Sequence, residues 1–234
     1  MNPSLLDGKA NGHALRSAET RARMLDAAIE VFGEVGFKAA STRQISQRAD
    51  VSLAAIVYHF GGKRELYIAT AQMIADHGRD RIADIVRRLA AEDHRDPADR
   101  IVEAVKVFAR LVADTGTHSW TRFFARCEQN ADEAFRIIHG ALFAPFEHAL
   151  AIAVAGVAGG TSADEEIRTR VAILMAVVVS LRTHRNTLLR SLGWDHLDTG
   201  RLERVVAIIA DLARSDTILA TVGSPSRTTA PPER

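Results

Sequence analysis

Five polar side chains between residues 42 and 63 can hydrogen-bond phosphate oxygens or the edges of bases: Thr42, Arg43, Tyr58, His59 and Lys63. Hydroxyl and amine groups, together with helix N-termini, bind phosphate oxygens and fix the register of a protein on a nucleic acid, whereas contacts to base edges specify the sequence. These side chains are suited to noncovalent recognition of a nucleic acid. Such recognition requires secondary-structure elements that bring the side chains to one surface.

The segment from Thr42 to Phe60 predicts two short helices and a tight turn. Helical runs cover residues 43–49 and 53–59, and only residues 50–52 remain to join them. Two helices with so short a connection have the shape of a helix-turn-helix.

The serines that precede the two runs support this division. Ser41 is followed three residues later by Gln44. This matches the capping box, in which the hydroxyl accepts from the third helical amide and the glutamine reaches back to the cap. Ser52 can cap the second helix in the same way. The residues spaced to close a small core between the helices are Ile45, Ala49, Val51, Ile56 and Phe60.

The second helix carries small side chains in its first turn and two ring-bearing side chains, Tyr58 and His59, near its end. Its first turn consists of Ser52, Leu53, Ala54 and Ala55. In a helix-turn-helix the second helix lies in the DNA major groove with its N-terminal residues toward the bases, while the first helix crosses the backbone. We therefore expect few direct contacts to base edges. Apolar contacts from Leu53 or Ala54 to thymine methyl groups are expected alongside hydrogen bonds. For Tyr58, burial as a core aromatic is the alternative interpretation.

Residues 41–67 resemble the N-terminal DNA-binding domain of the TetR family of bacterial transcriptional regulators. The matching residues are Phe32, Gly36, Thr42, Ile45, Ala49, Val51, Tyr58, Phe60, Lys63, Leu66 and Tyr67. The resemblance implies an all-helical fold and a homodimer as the working unit. It also implies that Thr42, Tyr58 and Lys63 contact phosphates, while Arg43 and residues 52–55 face the bases.

The later part of the chain, from Trp120 to Leu212, is similar to the C-terminal domain of the CecR branch of that family. The similarity rests on Arg126, on the helix that contains Pro145 and on the segment 188–194, which reads LLRSLGW.

The overall charge carries little information about partners. Lys and Arg total 30 against 29 Asp and Glu in 234 residues, a net charge of +1, so no global basic field indicates nucleic acid. Residues 1–70 hold nine basic and seven acidic residues, a net of +2, which leaves −1 for the remainder. Any DNA contact must therefore be local.

Other function classes find no support in the sequence. Cys127 is the single cysteine, and none of the nine histidines is paired with another at i and i+4, so we predict no disulfide and no metal site. No Gly-x-Ser-x-Gly motif suggests a catalytic nucleophile. The longest apolar run, residues 171–179, has nine residues, about half of a membrane span. We predict a cytoplasmic protein that is not an enzyme, has no cofactor and has no membrane partner.

The predicted fold class is all-α, with an N-terminal helix-turn-helix head of three helices and a larger C-terminal helical domain for ligand binding and dimerisation. The predicted divisions are a disordered arm (1–18), the head (19–67), the C-terminal domain (68–221) and a disordered tail (222–234). The first helix starts at Glu19 and ends at Gly36. As an alternative for the arm, Lys9 and Arg16 reach the minor groove of DNA.

The apolar spacing of the C-terminal domain predicts a series of helices. They cover residues 63–89, 98–113, 120–130, 133–157 with interruptions at Gly140 and Pro145, 164–190, and 202–212. The last two have wide apolar bands, which fits helices that pack on their own core and on a partner copy. Burial within one monomer is the alternative.

Aromatic residues concentrate between Phe108 and Phe146. They suggest a ligand pocket between helices, with the candidates Phe108, Trp120, Phe123, Phe124, Arg126, Phe143, Phe146 and His184. The alternative for each aromatic residue is an ordinary core position.

These observations favour a homodimeric, ligand-responsive regulator that acts as a repressor. It is expected to bind a pseudo-palindromic operator in double-stranded DNA and to be released by an unknown small-molecule effector. One alternative is a constitutive DNA-binding or architectural protein without an effector. Another is an enzyme or interaction module that merely contains a helix-turn-helix.

Overall fold

The computed structural model describes residues 4–91, 94–114 and 118–222, and these residues form helices without any strand. The predicted all-α class is confirmed. The helices are α1 (Ser4–Ala39), α2 (Thr42–Arg48), α3 (Leu53–Phe60), α4 (Lys63–Leu89), α5 (Pro97–Ala113), α6 (His118–Asn130), α7 (Glu133–Ile138), a π turn (His139–Phe143), α8 (Ala144–Ala158), α9 (Glu165–Thr183), α10 (Arg185–Ser191), α11 (Thr199–Arg214) and α12 (Asp216–Leu219). Residues 1–3 of the predicted arm and 223–234 of the predicted tail lie outside the described residues.

The chain packs into two compact units. We call residues 1–79 with 115–142 the head unit, and residues 80–114 with 143–234 the C-terminal unit. Within the head unit α6 packs along α1. Packing therefore groups the chain differently from the predicted boundary at residue 67, because α6 and α7 join the head.

Helix α1 is longer than the sequence indicates, because it begins at Ser4 rather than at Glu19. Residues 4–18, which we assigned to a disordered arm, are its first turns. Once a helix is nucleated, each further residue adds one hydrogen bond, so Gly8 and Gly12 weaken the extension without ending it. At the other end Gly36 leaves the helical region with φ 78°, as the sequence predicts for a stop.

The core of the head explains why the three helices stay together. Met24, Ala28 and Phe32 repeat at spacings of four along α1 and are fully buried, as are Ile45 of α2 and Ile56 of α3. Full burial of the larger side chains, Met24, Phe32, Ile45 and Ile56, contributes about 1.5–3 kcal/mol each. The apolar stripe of α1 is therefore the platform that holds the helix-turn-helix.

Two long helices follow the head as the spacing predicts. Helix α4 runs without interruption from Lys63 to Leu89. Helix α5 begins at Pro97, where Asp96 Oδ1 accepts a hydrogen bond from Ala98 N at 2.8 Å. Proline suits this first helical position because its missing N–H has no partner there in any case.

The predicted single helix over residues 164–190 is wrong, because α9 ends at Thr183 and α10 begins at Arg185. Between them His184 leaves the helical region with φ −113° and ψ 22°. The hydroxyls of Ser180 and Thr183 donate to the carbonyl oxygens of Val177 and Val179 at 2.6 and 3.2 Å. Such side-chain hydrogen bonds compete with the helix ladder and favour an end at this point.

The segment from Glu133 to Ala158 is interrupted where the sequence predicts. The π turn lies between α7 and α8, and Pro145 occupies the first turn of α8. By length and composition the segment could cross a membrane, with a mean hydropathy of 1.7 over an 18-residue window. Core helices of globular proteins pass the same test, and Phe146, Leu150 and Val154 are fully buried in the C-terminal unit.

Candidate nucleic-acid interface

The start of α2 is fixed by the predicted capping box. Ser41 Oγ accepts from Gln44 N at 3.2 Å, and Gln44 Oε1 accepts from Ser41 N at 2.9 Å. Thr42 is consequently the first residue of α2, half-buried, and Arg43 beside it is exposed. The helix is tied to α1 by Arg48, whose guanidinium pairs with Glu34 at 3.0 Å and Glu30 at 3.4 Å.

The turn between α2 and α3 is tight and capped. Asp50 has a left-handed backbone with φ 52°, and Val51 N donates to Ser46 O at 3.0 Å. Ser52 Oγ then accepts from Ala55 N at 3.2 Å, which makes Ser52 the N-cap of α3. Both predicted caps are present, so the direction of α3 is set by local hydrogen bonds.

The outward face of α3 is apolar and aromatic. Ile56 points into the core, whereas Leu53, Val57 and Tyr58 are 49, 58 and 81% exposed. Ala54 is also exposed. The structure rejects the alternative that Tyr58 is a core aromatic, and its ring instead meets the ring of His59 edge-on at 5.0 Å.

Sequence reasoning did not single out Val57, although a signal was present. A residue next to an inward-facing position is rotated by about 100° around a helix, because one turn takes 3.6 residues. Once Ile56 is assigned to the core, Val57 must therefore face away from it. Its exposed side chain extends the surface that starts at Leu53.

Lys63, at the start of α4, is held by the head rather than extended into solvent. Its ammonium donates to Lys38 O at 3.3 Å and lies 4.8 Å from the ring centroid of Phe37. Both partners lie just after the kink at Gly36. The structure thus places Lys63 on the same unit as α3, but its ammonium must leave these contacts before it can reach a phosphate.

The head-unit members of the predicted ligand pocket pack in the core or on the surface of that unit. Phe123 and Phe124 are buried, and the half-buried ring of Trp120 meets the ring of His77 edge-on at 4.9 Å. Arg126 is exposed and donates to Glu34 O at 3.1 Å, which satisfies a carbonyl near the end of α1.

The other predicted pocket members lie in the C-terminal unit. Phe108 stacks on Phe146 with centroids 4.3 Å apart and meets Phe143 edge-on at 6.0 Å, so these three form one aromatic cluster. His184 is exposed, and its Nδ1 lies 2.9 Å from Thr183 Oγ1. In the same unit the pKa of Arg182 is lowered because burial disfavours its charge, although Asp114 opposes the effect.

Two grooves are formed by other residues. One, of about 570 Å³, lies in the head unit and is lined by Arg21, Leu25, Arg64, Glu65, Ile68, Ala69, Gln72, Met73, Asp76 and Glu133. The other, of about 280 Å³, lies in the C-terminal unit and is lined by Ile85, Arg88, Leu89, Arg95, Arg100, Glu103, Ala104 and Val107. None of the predicted pocket residues lines either groove.

A polar pair inside the head unit fixes the first turns of α4. Tyr67 is 6% exposed, and its hydroxyl donates to Asp132 Oδ2 at 2.8 Å. Burial and this hydrogen bond raise the pKa of Tyr67 well above its ordinary value. Arg64 pairs with Glu133, one residue along from Asp132. The start of α4 is therefore attached to the start of α7.

Neither a metal site nor a reactive thiol is evident among the described residues. No group of three or more His, Cys, Asp or Glu side chains in this part of the chain could hold a metal ion. Cys127 is fully buried, and burial raises the pKa of its thiol to about 12. A thiol in that state is inert, because the thiolate is the reactive form.

Comparison with protein-family models places two known domains on the chain. Residues 24–70 match the model of the bacterial regulatory proteins of the tetR family, and residues 97–219 match the C-terminal domain of the HTH-type transcriptional dual regulator CecR. The first match contains the whole helix-turn-helix, and the second covers more than half of the chain.

Curated relatives agree with these matches. The chain is 27% identical to the HTH-type transcriptional dual regulator CecR of Shigella flexneri over 197 residues, which cover 82% of this chain and 88% of that protein. It is 40% identical to the HTH-type transcriptional activator FasR of Mycolicibacterium smegmatis over 70 residues, 30% of this chain and 32% of that one.

Solved structures share the fold. A TetR-family regulator from Mesorhizobium loti superimposes with a TM-score of 0.57 at 15% identity, covering 85% of this chain and 96% of that one. The transcriptional regulator FadR from Bacillus subtilis, solved in complex with stearoyl-CoA, gives a TM-score of 0.58 at 16% identity, covering 83% and 97%.

Proposed function

Since the chain belongs to the TetR family of bacterial regulators, with a C-terminal domain of the CecR type, we propose that it is a homodimeric repressor that binds a pseudo-palindromic operator and is released by a small-molecule effector. The observation that carries this proposal is the exposed face of α3, where Leu53, Val57 and Tyr58 stand out from a capped helix. The proposed location is the cytoplasm, which is usual for regulators of this family.

In the proposed complex α3 enters the major groove and α2 crosses the backbone. Arg43 and the first turn of α3, residues 52–55, face the bases, with Leu53 toward thymine methyl groups. Thr42, Tyr58 and Lys63 contact phosphates, and His59 lies next to Tyr58. Tyr58 is suited to this role because four-fifths of its surface is open to solvent. Lys63 joins the set after it leaves Phe37 and Lys38.

The proposed dimer uses the exposed faces of α8 and α9, which pack against each other in the C-terminal unit. Exposed small or apolar residues on these faces are Ile152, Gly156, Ala172, Ile173 and Ala176. Ile152 and Ile173 are each 52% exposed. Small residues allow close approach of a partner helix, and the isoleucines supply apolar area. The sequence expectation paired α9 with α11, whereas this proposal replaces α11 with α8.

Dimerisation matters for DNA binding because two recognition helices must enter successive major grooves, about 34–36 Å apart. An effector that prefers the state with the wrong spacing by about 1–3 kcal/mol is sufficient to release the operator. We place the effector in the C-terminal unit, next to the cluster of Phe108, Phe143 and Phe146. The stearoyl-CoA bound by the Bacillus subtilis regulator makes acyl-CoA the first class to test.

The proposal is tested by fluorescence anisotropy on DNA from upstream of the protein's own gene, beside a scrambled duplex, over a salt series. We expect tight binding to the native duplex only, with affinity that falls as salt rises. Arg43→Ala should reduce the preference for the native duplex, whereas the matched control Arg136→Ala, on an exposed position of α7, should leave it unchanged. Equal binding to both duplexes contradicts a sequence-specific repressor, and no binding at low salt contradicts DNA binding altogether.

The dimer and the effector need separate readouts. Ile152→Asp combined with Ile173→Asp should give a monomer in sedimentation and lose operator affinity. The matched control is Ile208→Asp, on α11, which is 68% exposed and should remain a dimer. Acyl-CoA of increasing chain length should raise the melting temperature, since a ligand of the folded state stabilises it, and should release the operator. No thermal shift and no release with any chain length would remove acyl-CoA from the proposal.

A further inference from the structure

The exposed face of α3 has a middle and two edges. Its exposed residues are Leu53, Ala54, Val57 and Tyr58. Successive residues are turned by about 100° around a helix, because one turn takes 3.6 residues. Measured from Leu53, Val57 lies at about 40° around the axis and Ala54 at about 100°. Tyr58 follows at about 140°, so Val57 and Ala54 are in the middle of the face and the other two residues form its edges.

The surface formed by Leu53, Ala54 and Val57 is hydrocarbon, because none of these side chains has a hydrogen-bond donor or acceptor. Leu53 and Val57 are 49 and 58% exposed, so neither is committed to the core. They are four residues apart, which places their Cβ atoms about 5–6 Å from each other. Ser52 Oγ, the polar group that precedes them, already caps the helix by accepting from Ala55 N at 3.2 Å. We call Leu53, Ala54 and Val57 the apolar patch.

The base edges in the major groove differ in one apolar group that such a patch can recognise. Thymine presents a C5-methyl group beside its O4 acceptor, whereas the other three bases present hydrogen-bond donors and acceptors. A polar base edge that loses water against a valine side chain gains no hydrogen bond in return, which is unfavourable. A methyl group on the base instead adds to the apolar area that is buried. The apolar patch is therefore complementary to thymine methyl groups.

We propose that Val57 is a specificity-determining residue that reads the C5-methyl group of a thymine, one or two base-pair steps from the thymine under Leu53. The separation of about 5–6 Å between the two Cβ atoms lies between one and two base-pair steps of about 3.4 Å each. Each half-site then contains two thymines that are recognised by their methyl groups. This inference rests on the DNA-binding function proposed above, and it adds a residue of the second turn of α3 to the first-turn contacts.

The test removes one methyl group from the DNA at a time. Full-length protein first selects duplexes from a random pool, which defines the half-site. Each thymine of one half-site is then replaced by uracil, which lacks only the methyl group, and affinity is measured by fluorescence anisotropy. At the thymine read by Val57 we expect about fourfold weaker binding, the value for one buried methyl-sized group. At the same position 5-methylcytosine paired with guanine should bind about fourfold tighter than cytosine paired with guanine, because the two differ by that methyl group alone.

The protein side of the contact is tested with full-length Val57→Ala. This variant removes the two methyl groups of the valine, so the ratio of affinities for thymine and uracil at that position should fall from about four to about one. The uracil effect at the thymine under Leu53 should remain. Val57→Ile keeps a branched apolar side chain and should retain both effects. A merely structural role of Val57 would weaken the thymine and uracil duplexes equally and leave the ratio unchanged.

The matched control is Val35→Ala, the same substitution at a 40% exposed position on α1, and it should keep every wild-type ratio. Far-ultraviolet circular dichroism and thermal melting of every variant check that the head remains folded. If Val57→Ala keeps the wild-type ratios, or if no uracil substitution weakens binding by the wild type, the proposal for Val57 is overturned and the repressor proposal stands. If the wild type enriches no common sequence from the random pool, sequence-specific DNA binding itself fails.

Discussion

The hydroxyl of Tyr67 offers a sharp test of how the head unit holds α4. Tyr67→Phe removes one oxygen and keeps the ring, which meets Phe32, Phe37 and Phe123 at centroid distances of 4.9, 4.8 and 5.1 Å. The lost contact is the 2.8 Å hydrogen bond to Asp132 Oδ2. Any change in the free energy of unfolding therefore reports on this bond rather than on packing.

The magnitude follows from the environment of the pair. A hydrogen bond to a charged group is worth about 1.5–3 kcal/mol. Asp132 is only half-buried and still accepts from Phe135 N at 3.1 Å, so water can replace part of the loss. We expect the lower end of the range, about 1.5 kcal/mol. Asp132→Ala removes both this bond and the cap of α7, which adds about 1 kcal/mol.

Urea unfolding of the two single variants and the double variant measures the coupling, at one protein concentration because the stability of an oligomer depends on it. The double variant should cost about 2.5 kcal/mol rather than the sum of the singles, which gives a coupling of about 1.5 kcal/mol. A coupling below about 0.5 kcal/mol would refute the reasoning, because two sites without direct contact add to within that amount. Gln129→Ala, an exposed change near Asp132, serves as the uncoupled control.

Three further predictions concern single positions. Ser52→Ala removes the cap of α3 and should lower the free energy of unfolding by about 1 kcal/mol in urea titrations, whereas Ser52→Asn should retain it. Gly78→Ala puts a Cβ within 2.6 Å of Leu142 Cδ2, so it should gain the helix preference of alanine, about 1 kcal/mol, only when Leu142→Ala is also present; equal effects in both backgrounds would contradict the contact. The folded state favours the neutral Cys127 thiol, whose pKa is raised to about 12, so this contribution to stability is complete below the ordinary pKa of 9.0 and is lost as pH rises toward 12. Cys127→Ala should remove that decline, of at most about 1.4 kcal/mol per pH unit, from melting curves recorded between pH 8 and 11, and an unchanged decline would assign it to other groups.

Local interactions made most of the helix-turn-helix predictable. The caps at Ser41 and Ser52 act within three residues of themselves, and both are present in the structure. The stop at Gly36 is equally local, since it depends on one backbone conformation. The exposed and buried sides of α3 follow from helix geometry once Ile56 is assigned to the core. No distant part of the chain was needed for these inferences.

The packing of the aromatic residues could not be predicted from the sequence. Their concentration between residues 108 and 146 suggested one pocket, but Phe123 packs with Phe32 and Tyr67 in the head unit, while Phe108 stacks with Phe146 in the C-terminal unit. The sequence shows that these aromatic residues are close together along the chain. It does not show which distant helix each ring packs against, so their division between two cores could not be predicted.

The amino-acid sequence by itself determined the helix-turn-helix, its caps and the family, because each depends on neighbours within a few residues or on a recognisable pattern. Only the tertiary structure decided that α6 and α7 pack with the head, that Lys63 rests on Phe37 and Lys38, and that Arg21 attaches the extended α1 to the end of α3. These contacts join residues up to about a hundred positions apart, such as Glu34 and Arg126. Contacts at that separation depend on how whole helices fill a common core, and no local preference encodes that packing.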